Sequence, residues 1–167
     1  IACCLVGSEM CIRDRTTVVM GNCGVGFAPV KPGDENFLIQ LMEGVEDIPG
    51  TALHEGIDWE WETFPEFLDA IERKEFVMDL GFMIGHGPVR SYVMGYDRCQ
   101  NQVDASKDEI NQMSEIVEKA INAGALGFST SRTILHRDVH GVYVPGTEAS
   151  SEEMKELAFA VDRAGEG

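Results

Sequence analysis

The sequence predicts an α/β protein built from parallel βα units, on three observations. Short aliphatic or β-branched runs at Thr16–Met20, Phe76–Ile84 and Leu126–Phe128 alternate with segments of helical periodicity. Unbroken apolar strands between amphipathic helices are what a parallel sheet covered on both faces requires. Each run also ends in a turn bearing a polar or ionisable side chain: Gly21-Asn-Cys-Gly24, Gly85-His-Gly87 and Ser129-Thr-Ser-Arg132. In βα architectures the functional residues collect at these carboxyl ends of the strands.

The elements follow in order. Thr16–Met20 reads as a buried strand stopped by the glycine turn, and Pro32-Gly33 marks a loop. Phe37, Leu38, Leu41, Met42 and Val45 recur at helical spacing, and Pro49-Gly50 ends that helix. A polar loop carrying His54, Trp59 and Trp61 is expected next. Thr63 with Glu66, Ser106 with Glu109, and Ser150 with Glu153 have the spacing of helix N-terminal capping signals. The first opens a short helix with Phe67, Leu68 and Ile71 on one face. The second opens a longer one striped by Ile110, Met113, Val117, Ala120 and Ile121, with Gly124 as its stop. The third opens a final helix with Met154, Leu157, Ala158 and Val161 inward. The expected order is strand, helix, loop, helix, strand, helix, strand, helix.

Composition sets outer bounds. With 167 residues and 44% hydrophobic content the chain has the means for one packed core. A formal net charge of -16 makes nucleic acid and anionic membrane surfaces poor partners. No apolar run is long enough to span a bilayer. Five cysteines, an odd number with three in the first eleven positions, do not suggest a disulfide scaffold, so a reducing, cytoplasmic setting is expected. The stretch Cys4-Leu-Val-Gly-Ser-Glu-Met-Cys-Ile-Arg-Asp-Arg15 resembles translated sequencing-adapter DNA. Residues 1–15 are accordingly read as non-native and 16–167 as the domain, truncated at both ends.

Cys23 is the sharpest candidate. A thiolate beside free N–H groups of a glycine turn is in a setting that lowers its pKa, and thiolates bind zinc well. The competing reading is a buried cysteine acting as a small hydrophobe. Gly21, Gly24 and Gly26 fit no dinucleotide or phosphate loop. His86 reads as a structural histidine before a metal or substrate ligand, since no second ligand stands at metal-site spacing. His136 and His140 lie among Val139, Gly141, Val142 and Pro145, which favour a loop over a helical His pair. Arg132 suits either a bidentate carboxylate clamp or an ordinary salt bridge. Trp59 and Trp61 read as packing residues.

Taken together, Thr16-Thr-Val-Val-Met-Gly-Asn-Cys-Gly24 with Ala28-Pro29, Trp61 with Phe64-Pro-Glu-Phe-Leu68, Gly85-His-Gly-Pro-Val-Arg90 and Ala123-Gly-Ala-Leu-Gly-Phe-Ser-Thr130 resemble, in order, segments of the N-acyl-D-amino-acid deacylase (D-aminoacylase) family of amidohydrolases. The resemblance implies an incomplete (β/α)₈ TIM-like barrel of the amidohydrolase type, about strands two to four with their helices. It implies zinc as cofactor, Cys23 as the metal ligand after the second strand, and an N-acyl amino acid, especially an N-acyl-D-amino acid, as small-molecule substrate. The family's His-x-His pair would precede Thr16. Its other histidine ligands and catalytic aspartate would follow Gly167, so no catalytic residue is assigned here and the isolated chain is expected to be inactive. The family usually continues after Ser-Thr with Gly-Leu and an aromatic residue before proline. Here Ser131-Arg-Thr-Ile-Leu-His136 intervenes. That loop should face substrate, which makes Ser131 and Arg132 the substrate-binding candidates. It also keeps open an amidohydrolase acting on another linear or cyclic amide. A non-catalytic flavodoxin-like binding domain, and a thiol-redox protein pairing Cys23 with Cys99, are the alternatives from other classes.

Overall fold

The computed structural model describes residues 16–165. The expectations for residues 1–15, with Cys3, Cys4 and Cys11, lie outside the described residues. The strands are β1 (Thr17–Met20), β2 (Asp79–Phe82), β3 (Ile84–Gly85) and β4 (Phe128–Ser129). β1 pairs in parallel with β2, from Thr17 opposite Asp79 to Met20 opposite Phe82. β3 pairs in parallel with β4, Ile84 opposite Phe128 and Gly85 opposite Ser129. Met83 alone separates β2 from β3. Its N–H donates to Met20 O at 2.9 Å, and the next N–H, of Ile84, donates to Gly127 O at 2.9 Å. Successive N–H groups of an extended chain point to opposite edges. Residues 79–85 therefore form a central strand with β1 on one edge and β4 on the other, and all carboxyl ends share one rim. The parallel α/β reading holds.

The helices are α1 (Glu35–Glu46), α2 (Gly50–Gly56), α3 (Phe64–Glu72), α4 (His86–Met94), α5 (Tyr96–Gln100), α6 (Lys107–Asn122) and α7 (Ser151–Ala164). Full capping boxes open α3 and α6: Thr63 and Ser106 accept from the N–H groups of Glu66 and Glu109, whose carboxylates accept in return from the cap N–H groups. Such caps contribute about 1 kcal/mol each. The stripe on α6 is buried as its spacing predicts, with Met113, Val117 and Ala120 fully enclosed against Leu157 and Ala160 of α7 and Phe64 and Phe67 of α3. A second apolar cluster, Val25, Val30, Phe37, Leu38, Leu41 and Val144, ties α1 to the chain after β1.

Two expectations fail for physical reasons. The polar loop expected after Pro49-Gly50 begins with a helix, α2. The helix starts where the Ala52 and Leu53 N–H groups turn back onto Pro49 O, at 2.9 and 3.3 Å, and at Gly50 it comes close to α1, where a Cβ would lie 3.4 Å from Ile39 Cγ2. The segment Gly85-His-Gly87 is no open loop: α4 starts at His86, directly after the strand, with α5 behind it. Pro88 sits in the first turn of α4, where a missing N–H costs nothing. Residues 86–91 of α4 are all buried. A helix enclosed all round shows no amphipathic stripe for a sequence reading to find. At the strand ends the differences are small, with Phe76 and exposed Val77 falling outside β2.

Candidate functional site

The shared rim brings Cys23, His86, Ser129 and Ser131 into one neighbourhood. Cys23 lies in the Gly21–Gly24 turn after β1, half-buried, with Sγ 3.6 Å from Glu46 Oε1 at the end of α1. Gly21 and Gly24 both have positive φ, +87° and +76°. A Cβ on Gly21 would meet Met83 O at 2.6 Å, and one on Gly24 would meet Ser131 N at 2.7 Å. Glycine is therefore required on both flanks of Cys23, for conformation and for close approach. The thiol departs from the expected lowered pKa. Burial pushes it up, and the Glu46 carboxylate adds to that push, outweighing the Val25 N–H.

Ser131 Oγ lies 3.0 Å from His136 Nδ1, beside the Cys23 turn. Arg132 Nε donates to Thr147 O at 3.3 Å, and among the described residues Arg132 makes no ion pair. The ordinary salt bridge considered for it is therefore not formed among the described residues. His136 and His140 occupy an irregular hairpin-like loop: Arg137 bridges Tyr143 in antiparallel fashion, and Asp138 Oδ1 accepts from the N–H groups of His140 and Val142. Trp61 Nε1 donates to Phe27 O at 2.8 Å, and its ring packs on Trp59 and Phe67, as expected of a packing residue.

His86 is fully buried and both ring nitrogens are engaged. Nδ1 lies 2.9 Å from Thr130 Oγ1 and Nε2 lies 2.8 Å from Glu153 Oε1. Arg90 sits one helical turn along α4, also buried, with Nε 3.0 Å from the same Glu153 oxygen and Nη2 donating to Val103 O at 2.8 Å. His86 thus has a structural role. Sequence reasoning gave no site role to Glu153, Arg90 or Ser129, although Arg90 and Ser129 stood in the segments it singled out. Glu153 carried a signal of a different kind, since it stands at the third position after its cap, Ser150. The cap serine does accept from the Glu153 N–H at 3.2 Å. The carboxylate is instead turned inward to His86 and Arg90.

Among the described residues no group of three or more His, Cys, Asp or Glu side chains is placed to hold a metal ion, and no helix is long and apolar enough to cross a membrane.

No family model matches the chain. It is 31% identical over 142 residues to a D-aminoacylase of Alcaligenes xylosoxydans xylosoxydans, covering 85% of this chain and 24% of that protein. It is 27% identical over 144 residues to the N-acyl-D-glutamate deacylase of the same organism, covering 86% and 24%. The chain thus spans about a quarter of the length of these curated relatives. Among solved structures it superposes on a D-aminoacylase with a binuclear metal centre at a TM-score of 0.65 and 27% identity, covering 98% of this chain and 30% of that one. It superposes on the zinc- and phosphonate-bound N-acyl-D-glutamate deacylase of Bordetella bronchiseptica at a TM-score of 0.66, covering 93% and 28%; at 24% identity that likeness concerns the fold. Parallel strands whose carboxyl ends meet at a cysteine-bearing turn, together with these matches, place the chain among the amidohydrolases. Over the matched residues it belongs to the D-aminoacylase family.

Proposed function

We propose that the chain is part of a zinc-dependent hydrolase that cleaves the amide bond of N-acyl amino acids, with N-acyl-D-amino acids as the substrate class. The observation that carries this reading is Cys23, a half-buried thiol in a turn shaped by two obligatory glycines at the shared rim. A thiol at such a position fits one zinc ligand, whereas a catalytic zinc needs about three protein ligands. Glu46 Oε1, 3.6 Å from the sulfur, is a carboxylate oxygen beside it. When bound, zinc polarises an amide carbonyl and lowers the pKa of a coordinated water. This chain's own part is to present the thiol and, through Ser131 and Arg132, to offer a hydroxyl and a guanidinium to substrate beside it.

The wider organisation goes with this reading. Residues 16–167 are assigned to an incomplete amidohydrolase barrel, about strands two to four, and residues 1–15 to a segment foreign to it. With one thiol ligand, the isolated chain is assigned no turnover. A hydrolase of another linear or cyclic amide is the second reading, favoured by the Ser131–His136 loop, where the sequence leaves the family pattern and Arg132 is tied to Thr147 O.

The test uses the whole protein. Cys23→Ala should strip most bound zinc and abolish N-acyl-D-amino-acid hydrolysis, while Cys99→Ala, buried away from the rim, should do neither. Near-normal zinc in both variants overturns the assignment.

A further inference from the structure

We propose that Ser129 is a positioning residue for Cys23, its hydroxyl spanning the turn that carries the thiol and fixing the direction in which the sulfur leaves the sheet. The proposal rests on the reading of Cys23 as a metal ligand. Ser129 ends β4 and is 5% exposed. Its Oγ donates to Gly21 O and accepts from the Gly24 N–H at 3.2 Å. Those are the two ends of the Cys23 turn, more than a hundred residues away along the chain. A hydroxyl has one proton and two acceptor sites, so a single serine serves both ends. The remaining polar group at that end, Gly24 O, accepts from the Gly87 N–H at 2.8 Å. The neighbouring hydroxyl, Thr130 Oγ1, is already engaged with His86 Nδ1.

The thiol's own anchor is weak. Its side-chain partner is Glu46 at 3.6 Å, and its other contact, the Val25 N–H, comes from the backbone just after the turn. The direction of Sγ is therefore set by the backbone, and the backbone by Ser129. Metal sites respond to such support: losing an outer partner of a ligand typically lowers metal affinity roughly 10- to 100-fold. Alanine at position 129 removes the donor to Gly21 O and the acceptor for a buried N–H, while leaving the strand register intact.

The experiment compares the whole wild-type protein with its Ser129→Ala and Ser129→Thr variants. Alkylation of each cysteine is followed by peptide mass spectrometry, with and without Cd²⁺ as a thiophilic probe. Ser129→Ala should speed alkylation of Cys23 about tenfold and weaken its protection by Cd²⁺ by a similar factor, the size expected from losing one or two hydrogen bonds. Cys99 should be unaffected, and threonine, which keeps the hydroxyl, should restore both properties. Wild-type rates and Cd²⁺ protection in Ser129→Ala overturn the proposal. So does equal acceleration of Cys99, which reports general loosening, and so does a threonine variant that behaves like alanine. If Cd²⁺ fails to protect Cys23 even in the whole wild-type protein, the ligand reading falls. The alkylation rates then still decide whether Ser129 holds the thiol.

Discussion

His86 Nε2 and Glu153 Oε1 lie 2.8 Å apart with both side chains essentially excluded from solvent, joining the first residue of α4 to the first turn of α7 across 67 positions of sequence. Arg90 shares the same oxygen. Through Thr130 on the other ring nitrogen, this buried group reaches the residue next to Ser129, and so abuts the support of the Cys23 turn. Removing one member of a buried charged group leaves an uncompensated charge, which costs more than the group contributes when complete.

Glu153→Ala should accordingly destabilise the fold by about 3–5 kcal/mol, because it strands the Arg90 guanidinium. Ser150→Ala, which removes a cap of the same helix, should cost about 1 kcal/mol. Urea denaturation of both variants checks the contrast. Equal losses would mean that Glu153 acts as a capping residue after all.

Gly146 is the lid on this group. Its φ is +97°, and a Cβ there would lie 2.4 Å from His86 Nδ1 and 2.7 Å from Cε1. Gly146→Ala should cost about 1–3 kcal/mol from backbone strain and displacement of the ring. The histidine ring resonances in an NMR spectrum should shift with it. A variant of wild-type stability with an unmoved His86 would refute the close approach.

Stability should fall at acid pH partly through the capping carboxylates. Glu66 is held below the ordinary range by the N–H groups of Thr63 and Glu62. Glu109 is raised by burial but lowered by more through the Ser106 N–H and Arg98, and ends below it. A carboxylate with a depressed folded-state pKa stabilises above its unfolded value, about 4.3, and loses that contribution as pH falls through the folded value. Glu109→Gln should flatten the stability profile on the acid side of the unfolded value, measured by denaturation at each pH. An unchanged slope would count against the Ser106–Glu109–Arg98 contacts.

At the alkaline end the sign reverses. The Tyr92 hydroxyl donates to Glu62 Oε1 at 2.7 Å, and that bond to a carboxylate, with burial behind it, pushes the phenol up to about 12. A raised phenol pKa gives stability that is present below the unfolded value, about 10, and lost as pH rises through the folded one. In a tyrosinate absorbance titration Tyr92 should ionise near 12, and Tyr92→Phe should delete that late step. A late step that survives the substitution belongs to another tyrosine.

The strands and long helices were legible because their signals are local: β-branched runs, a stripe at 3.6-residue spacing, cap and carboxylate three apart. α4 was illegible for the opposite reason, since burial on every side erases periodicity. Cys23 stood out by its glycine neighbours, and their necessity is visible in the contacts with Met83 and Ser131. Ser129 and Glu153 carried no such mark. A serine at a strand end and a glutamate three places after a cap are commonplace. Only the pairing of β4 with β3, and the docking of α7 on α6, brings each to its partner.

The tethering of the 131–147 segment separates what is fixed from what is free. Its entry is secured where Ser129 and Thr130 leave the sheet, and its exit where Thr147 N–H and Oγ1 both return to Val144 O, just ahead of α7. Between those anchors Ile134 and Leu135 point to solvent, 65% and 83% exposed. Insertions or replacements at that tip change the exposed surface of the loop without disturbing either anchor. The Ile134–Leu135 tip can therefore vary while the contacts that hold the Cys23 turn, from Ser129 Oγ to Gly21 O and from the Gly24 N–H to Ser129 Oγ, stay as they are.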